Sequence, residues 1–362
     1  MSARNERSEA RGRERTAARG GVSVVVPTLG RPSLAALLDA LTRSIDPGDA
    51  VEVILVDDRP AGRRTLPLAV PALLTAVTKV VSGAAAGPAA ARNAGWRAAT
   101  YPWVAFLDDD VVPAVDWYVR LRDDLAVPDD VVGVQGVIVV PLPADRRPTD
   151  WERVTAGLAH GRWITADMAY RRASLAAVGG FDERFPRAFR EDADVAWRLR
   201  RAGGVLRSGS RQVTHPVRPE SAFVSVRTQR GNADDALLRR LYGPDWRVLL
   251  EVPPGRRSRH ALVTGAGLVG VSALVGRVVS RRAGGTASRR QYAAAGLAAG
   301  AGACWLAGTA EFAVARIAPG PRTPAEVTTM IVTSALIPPL AVGHWIRGWW
   351  RHRSAQEWVP DR

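Results

Sequence analysis

The sequence has almost no cysteine and almost no lysine. Cys304 is its single cysteine, so an internal disulfide and a thiolate metal cluster are both excluded. Lys79 is its single lysine, and the formal net charge of +15 therefore comes from arginine. Such an excess of positive charge fits a nucleic acid, an anionic membrane surface or a phosphate-bearing substrate. Residues 1–21 contain no apolar centre, so we expect a basic arm there and no secretory signal.

Changes in composition and hydrophobic pattern divide the chain into three parts. With 47% hydrophobic residues over 362 positions, the chain can bury a full core. Residues 1–21 are polar and basic, residues 22–250 alternate strand and helix patterns, and residues 251–362 are rich in alanine, glycine, valine and leucine. We expect a basic arm, an α/β domain and a helical membrane region with a basic tail, in that order.

The central part predicts a mostly parallel sheet with helices on both faces. Short β-branched runs ("VSVVVP", "VEVILVDD", "KVVSG", "WVAFLDDD") alternate with helical spacing ("SLAALLDALTRS", "GPAAARNAGWRAAT"). In open sheets of this kind ligands bind outside the carboxyl ends of the strands. Asp57 and Asp58 follow one strand and Asp108–Asp110 follow another, so we expect all of them to face one crevice.

Three successive carboxylates, Asp108, Asp109 and Asp110, end an apolar run. Neighbouring like charges make each group harder to ionise, so the cluster needs a cation, hydrogen-bond donors or water. Alternate strand residues point to opposite faces, so we expect Asp108 and Asp110 to share a side. Two converging carboxylates make the oxygen site that Mg²⁺ or Mn²⁺ accepts. An isolated Asp-x-Asp is more often a solvated loop, but the second acidic strand end favours the metal site.

A second acidic pair, Glu191 and Asp192, begins a stretch with a helical apolar face that ends at Gly203. Acids in the first turn of a helix commonly complement its dipole. A carboxylate there could also act as a general base, and the acidic strand ends favour that interpretation.

Five motifs, in this order and spacing, resemble those of family 2 glycosyltransferases with the GT-A fold. They are "VSVVVPTLGRP", "VEVILVDDRP", "GPAAARNAG", "AFLDDDVVP" and "GGFDERF" followed by "REDADVAWRLRRAG", and they cover roughly Val22 to His215. Two positions depart from the family pattern: Asp58 is followed by "RPAG" where Gly-Ser is usual, and Asp167 stands where asparagine or a small residue is usual. The resemblance implies a Rossmann-like, nucleotide-diphospho-sugar transferase fold.

The resemblance also implies a role for each residue that matches a motif. The donor-binding residues would be Pro27, Asp57, Asp58, Arg92, Asn93, Asp108 and Asp109. The ligands of a divalent metal on the donor diphosphate would be Asp108, Asp110 and His215. Asp192 would be the general base, with Glu191 beside it. Arg92 could meet a phosphate or form a surface salt bridge, and His215 could equally be a structural histidine.

Three apolar segments follow the α/β domain: Ala261–Val279, Tyr292–Ala315 and Val327–Ile346. A bilayer span takes about 20 largely apolar residues, which the second and third provide, whereas the first is interrupted by glycines and Arg277. Basic flanks predict that the second and third form a hairpin with both ends in the cytoplasm. The first would then lie in the interface or re-enter without crossing. Three spans are the next arrangement, and a buried helical domain is the alternative to any span. The tryptophans and arginines of "HWIRGWWRHR" predict an interfacial anchor.

The sequence therefore predicts an inverting, metal-dependent glycosyltransferase at the cell membrane, with its catalytic domain in the cytoplasm. Its partners would be a nucleotide-sugar donor, a lipid-linked or glycan acceptor and anionic lipid. A nucleotidyltransferase would need a glycine-rich loop with a lysine after the first strand, and "PTLGRPS" has neither. A nucleic-acid binder is disfavoured because the arginines lie in tails and flanks and the crevice is acidic. A catalytically inactive membrane scaffold with the same fold stays open, and the oligomeric state is unknown.

Overall fold

A computed structural model describes residues 20–46, 48–60, 66, 69–282 and 289–357. The predicted basic arm at residues 1–21 lies almost entirely outside this range. The strands are β1 Val22–Thr28, β2 Val51–Asp57, β3 Thr78–Ser82, β4 Trp103–Leu107, β5 Val112–Pro113, β6 Val131–Val139, β7 Asp167–Arg171 and β8 Val205–Thr214.

The helices of the α/β part are short, and three long helices follow them. They are α1 Ser33–Ser44, α2 Ala72–Thr75, α3 Pro88–Ala98, α4 Trp117–Asp124, α5 Asp150–Ala156, α6 Arg172–Ala177, α7 Glu191–Arg201, α8 Val224–Arg227, α9 Asn232–Tyr242, α10 Trp246–Leu249, α11 Arg257–Arg282, α12 Arg289–Ile317 and α13 Pro324–Arg351. Short 3₁₀ turns lie at Gly157–His160 and Thr228–Gly231.

All eight described strands form one sheet in the order β3-β2-β1-β4-β7-β6-β8-β5. The first four of these are parallel, β7 runs antiparallel to both β4 and β6, and β5 runs antiparallel to β8. The prediction of a mostly parallel Rossmann-like sheet is confirmed, with β5 and β7 reversed. Chain order reverses around β1, between β2 and β4, which opens a crevice at their carboxyl ends.

The sheet has a hydrophobic core on each face because its central strands are apolar at successive positions. In β1, Val24 and Val26 pack with the leucines of α1, whereas Val25 packs with α3 on the other side. Helix α3 approaches β1 closely because Gly95 has no side chain, and a Cβ there would overlap Val25 Cγ1. This close approach sets the distance between α3 and the sheet, and with it the position of the residues on α3.

The three C-terminal helices are each long and apolar enough to cross a membrane. The segment expected to be marginal forms the continuous helix Arg257–Arg282. The turn between α12 and α13 contacts the α/β domain, since Arg153 Nη2 donates to the Arg316 carbonyl at 2.7 Å. This contact does not agree with the predicted hairpin, whose turn would lie across the membrane from that domain.

We expect Gly95→Ala to destabilise the fold because the added Cβ has no room against β1. Overpacking of this kind costs about 1–3 kcal/mol. Thermal denaturation of the purified protein should show a lower melting temperature for Gly95→Ala. Gly157→Ala is the matched control, since a Cβ at Gly157 meets nothing within 4 Å. Equal melting temperatures for the two variants would contradict this packing.

Candidate active site

The three consecutive aspartates lie in the turn after β4, and each has different partners. The Asp109 carboxylate accepts hydrogen bonds from Thr28 Oγ1 at 2.7 Å and from Arg31 Nη1 at 3.1 Å. These contacts tie the turn to the end of β1. Separate partners relieve the repulsion that three adjacent carboxylates would otherwise have.

Asp110 points the other way, toward the end of β8. Its Oδ1 lies 3.5 Å from His215 Nε2, and its Oδ2 lies 3.1 Å from Arg218 Nε. His215 Nδ1 lies 3.2 Å from the Pro216 carbonyl oxygen, which only accepts, so this contact fits a proton on Nδ1. Nε2 faces a carboxylate oxygen, an arrangement that a cation bound between the two would stabilise. Burial, followed by the charge of Asp108, raises the pKa of Asp110.

Asp108 does not join Asp110, because the buried Arg92 holds it. Arg92 Nη2 donates to Asp108 Oδ1 at 2.8 Å, and Nη1 donates to Glu191 Oε1 at 2.7 Å. The Arg92 side chain is only 2% exposed, so this guanidinium connects the turn after β4 to the first turn of α7 from below. Burial alone would lower the pKa of Arg92, but the charges of the two carboxylates raise it above its ordinary value.

Asp192 lies beside this ion pair and, unlike Glu191, is partly exposed. Its Oδ1 accepts a hydrogen bond from the Ala193 N–H at 2.7 Å. Burial raises the pKa of Asp192 above its ordinary value, although the Ala193 N–H and Arg92 oppose the rise. Burial and the charge of Asp192 raise the pKa of Glu191 to about 7. A carboxyl with an elevated pKa, open to a crevice, is suited to accept a proton near neutral pH.

The remaining predicted donor contacts divide between the crevice and the interior. Pro27 is partly exposed at the end of β1, and Asp57 is paired with Arg59 Nη2 at 2.7 Å. Asp58 is mostly buried and accepts a hydrogen bond from the Gly87 N–H at 3.0 Å, which holds the loop before α3. Burial raises the pKa of Asp58.

Arg92 and Asn93 do not open onto the crevice, contrary to the prediction. Asn93 is 1% exposed, and its amide oxygen accepts from the Trp96 Nε1–H at 2.8 Å and from the Phe181 N–H at 2.9 Å. Both side chains face inward because α3 packs that face against the sheet. They position the loop before α7 and have no free surface for a phosphate.

Sequence reasoning did not single out Thr28, Arg31 or Arg218, which contact the aspartates from the end of β1, the loop after β1 and the loop after β8. It noted Asp167 as a departure, and the structure supplies its counter-charge, since Arg211 Nε donates to Asp167 Oδ1 at 2.8 Å with both side chains fully buried. No spacing in the sequence pairs these groups, because they meet only across the sheet.

Residues 23–193 match the model of glycosyl transferase family 2. The match covers slightly less than half of the chain, from β1 to the first turn of α7. It is similar to the pre-mycofactocin glycosyltransferases of two Mycobacterium tuberculosis strains, CDC 1551 / Oshkosh and H37Rv. Identity to each is 34% over 135 residues, which cover 33% of this chain and 28% of the relative. The chain thus spans little more than a quarter of the length of these curated relatives.

Two solved glycosyltransferase structures align with the chain at low identity. One is a mannosyltransferase from Pyrobaculum calidifontis in complex with GDP-Man and Mn²⁺, 19% identical, covering 92% of this chain and 88% of that chain at a TM-score of 0.45. The other is glucosyl-3-phosphoglycerate synthase from Mycobacterium tuberculosis in complex with Mn²⁺, UDP-glucose and phosphoglyceric acid. It is 15% identical and covers 67% of this chain and 84% of that chain at a TM-score of 0.42.

The structure brings together two side chains that could hold the predicted metal, where the sequence predicted three. Within the described ranges there is no group of three or more histidine, cysteine, aspartate or glutamate side chains close enough to hold an ion. Asp110 and His215 face each other, whereas Asp108 is turned to Arg92. Mg²⁺-type sites commonly have one or two protein ligands, with water and substrate phosphate completing the shell. The pair therefore fits a metal that is bound together with a diphosphate.

We expect Arg92→Gln to destabilise the domain strongly. It leaves Glu191 buried without its counter-charge, and breaking a buried pair in this way costs about 3–5 kcal/mol. Thermal or denaturant unfolding measures the loss. Arg97→Gln is the control on the same helix, because Arg97 lies 3.6 Å from Glu183 with both side chains about half exposed. Such an exposed pair contributes about 0–1 kcal/mol, so a comparable loss in the two variants would contradict the prediction.

Proposed function

We propose that this protein is a membrane-associated, metal-dependent inverting glycosyltransferase. The observation that carries the proposal is that the buried Arg92 joins two acidic segments, since it pairs with both Asp108 and Glu191. One segment presents Asp110 to His215, and the other presents the partly exposed Asp192, whose pKa is raised. These are the two functions that transfer from a nucleotide-diphosphate sugar needs: charge stabilisation at the leaving diphosphate and proton removal at the acceptor.

Asp110 and His215 would hold a divalent metal, Mn²⁺ or Mg²⁺, on the donor diphosphate. A bound metal supplies stabilisation of the negative charge that develops as the sugar–phosphate bond breaks. Arg218, 3.1 Å from Asp110 and partly exposed, would move its guanidinium from the carboxylate to the diphosphate when donor binds. Pro27, Asp57 and Asp109 would contact the nucleoside from the ends of β1, β2 and β4.

Asp192 would act as general base. An acceptor hydroxyl within hydrogen-bond reach gives its proton to the carboxylate as its oxygen attacks the anomeric carbon. The attack comes from the face opposite the leaving diphosphate, so the anomeric configuration inverts. Glu191 and Arg92 do not touch the substrates in this scheme and act as positioning residues through the first turn of α7.

The acceptor would be a hydroxyl of a lipid-linked or cell-envelope glycan. Three helices apolar enough for a membrane follow the catalytic domain directly, which favours an acceptor held in or on the bilayer. The catalytic domain would face the cytoplasm, where nucleotide sugars are made. Anionic lipid would neutralise part of the net charge of +15.

Nucleotide binding tests the donor site. Calorimetry on the full chain in detergent, with UDP, GDP and dTDP, should show binding of one nucleotide that requires Mn²⁺. Asp110→Asn should lose the metal-dependent binding. Asp116→Asn should keep it, because Asp116 is an exposed neighbour paired with Arg120 on α4. Absence of binding to any of the three by the folded protein would favour the inactive scaffold.

The pH profile tests the base. The rate should rise with pH through the elevated pKa of Asp192, because only the ionised carboxylate accepts a proton. Asp108→Asn removes a negative charge that raises the pKa of Asp192 and leaves Arg92 less neutralised, and both changes lower that pKa.

Release of nucleoside diphosphate from the donor measures this shift. The acidic limb should move down by about one pH unit in Asp108→Asn, and it should not move in Glu183→Gln, whose side chain is 49% exposed. An acidic limb that stays in place or moves upward in Asp108→Asn would contradict the assignment of Asp192 as base.

A further inference from the structure

Three helices are apolar enough to cross a membrane, but the geometry points to a topology in which only two of them cross. Helices α11 and α12 form a hairpin in the bilayer, and α13 lies along the catalytic domain without crossing. The residues after α13 are therefore on the same side of the membrane as the active site. This inference rests on the proposed membrane association and not on sugar transfer.

The beginning of α13 is fixed to the catalytic domain. Glu326 Oε1 accepts a hydrogen bond from the Asp150 N–H of α5 at 2.9 Å. Next to it, the buried Arg316 at the end of α12 donates to Asp150 Oδ2 at 2.7 Å and to Ser225 Oγ of α8 at 3.0 Å. The same guanidinium donates to Thr333 Oγ1 of α13 at 2.7 Å. One arginine thus joins both long helices to two catalytic-domain helices.

The far end of α13 is fixed to the same domain. Gly348 is buried against α9, where a Cβ would lie 2.5 Å from the Ala233 carbonyl oxygen and 2.6 Å from Ala233 Cα. The Arg240 guanidinium of α9 lies over the Trp349 ring. Beyond the helix, Arg184 Nη1 donates to the Gln356 carbonyl at 3.1 Å. The tryptophan expected to lie at the membrane interface is instead partly covered by protein.

A helix with both ends on one domain cannot cross a bilayer. Helix α13 has 28 residues, which at 1.5 Å per residue extends for about 42 Å. Its buried residues recur along one stripe from 330 to 348, about 27 Å: Met330, Thr333, Ser334, Ile337, Pro338, Ala341 and Gly348. Packing against protein accounts for this stripe, whereas Ile331, Leu336 and Ile346 of α13 are exposed.

Helices α11 and α12 behave differently, because they pack mainly on each other. Gly270 of α11 faces Ala298 and Gly302 of α12, so small residues let the two helices approach closely. Near the catalytic domain Arg256 and Arg259 of the α11 end pair with Glu311. Away from it, no side chain in residues 264–281 and 291–312 is fully buried, and many of the exposed ones are large and apolar, such as Leu268, Leu274 and Leu306. Lipid acyl chains are suited to cover such an apolar surface.

The length of the α11–α12 hairpin and its charges fit a lipid bilayer. Twenty-two residues separate Arg259 from Arg281, a rise of about 33 Å, close to the hydrocarbon thickness of about 30 Å. Arginines lie at both ends of the hairpin, among them Arg256, Arg257 and Arg259 at the domain end and Arg281, Arg282 and Arg289 near the turn, as expected of residues at the two headgroup regions.

Labelling of single cysteines distinguishes the topologies, and Cys304 is a natural reporter inside the hairpin. In a Cys304→Ser background, exposed reporters are placed at Ala36 in the catalytic domain, Ser280 near the end of α11 and Ser354 after α13. A charged maleimide is added to sealed inside-out vesicles and to spheroplasts that contain each full-length variant.

We expect Ser354→Cys to react from the same side as Ala36→Cys and Ser280→Cys from the opposite side. In the otherwise native chain, Cys304 should react only after detergent is added. If Ser280→Cys and Ser354→Cys both react opposite to Ala36→Cys, the chain has three spans and the inference is wrong. If all three react from one side, α11 does not cross and the inference is also wrong. Recovery of the chain in the soluble fraction would instead overturn the membrane association itself.

Two glycines of α13 test its packing separately. Gly348→Leu should loosen α13 from α9 and increase proteolysis after α13 in detergent, because a side chain has no room against Ala233. Gly343→Leu should not, since Gly343 is exposed and a Cβ there meets nothing within 4 Å. Equal protection from protease in both variants would overturn the placement of α13 on the domain.

Discussion

The buried guanidinium of Arg92 is the interaction on which the rest of the site depends. Removing a charge from water is expensive, and Arg92 is tolerated in the interior because two carboxylates, Asp108 and Glu191, accept its hydrogen bonds. These carboxylates belong to two different segments, the turn after β4 and the first turn of α7. The charge balance of the interior therefore also fixes the distance between the turn after β4 and the first turn of α7, and with it the relative position of Asp110 and Asp192.

The same balance explains how three adjacent aspartates coexist. Asp108 is neutralised from below by Arg92, Asp109 is held from the side by Thr28 and Arg31, and only Asp110 is directed to His215 and Arg218. The cluster is thus three separate contacts. Asp108 and Asp109 are paired within the fold, and Asp110 faces the histidine beside which the metal is proposed to bind.

Much of this arrangement could be predicted from the sequence, because strand ends and helix starts are local features. The alternating pattern predicted the sheet and placed the acidic groups at one edge, and the motifs indicated the family. The partners of those groups could not be predicted. Whether Arg92 faces the crevice or the core depends on how α3 packs against β1, and Arg218 reaches Asp110 from a loop more than 100 positions away. Such contacts are set by tertiary packing, which no local pattern contains.

The positions of the long helices could not be predicted from the sequence either. A helix that is apolar on most of its surface is covered either by protein or by lipid, and hydropathy does not distinguish the two. Helix α13 resembles a span by composition, yet its buried stripe follows α9 and its ends contact the catalytic domain. Arg316 gives this placement a consequence for the active site. Its hydrogen bond to Ser225 reaches the segment that follows Arg218, so the long apolar helices and the loop that contacts Asp110 are held by one polar junction.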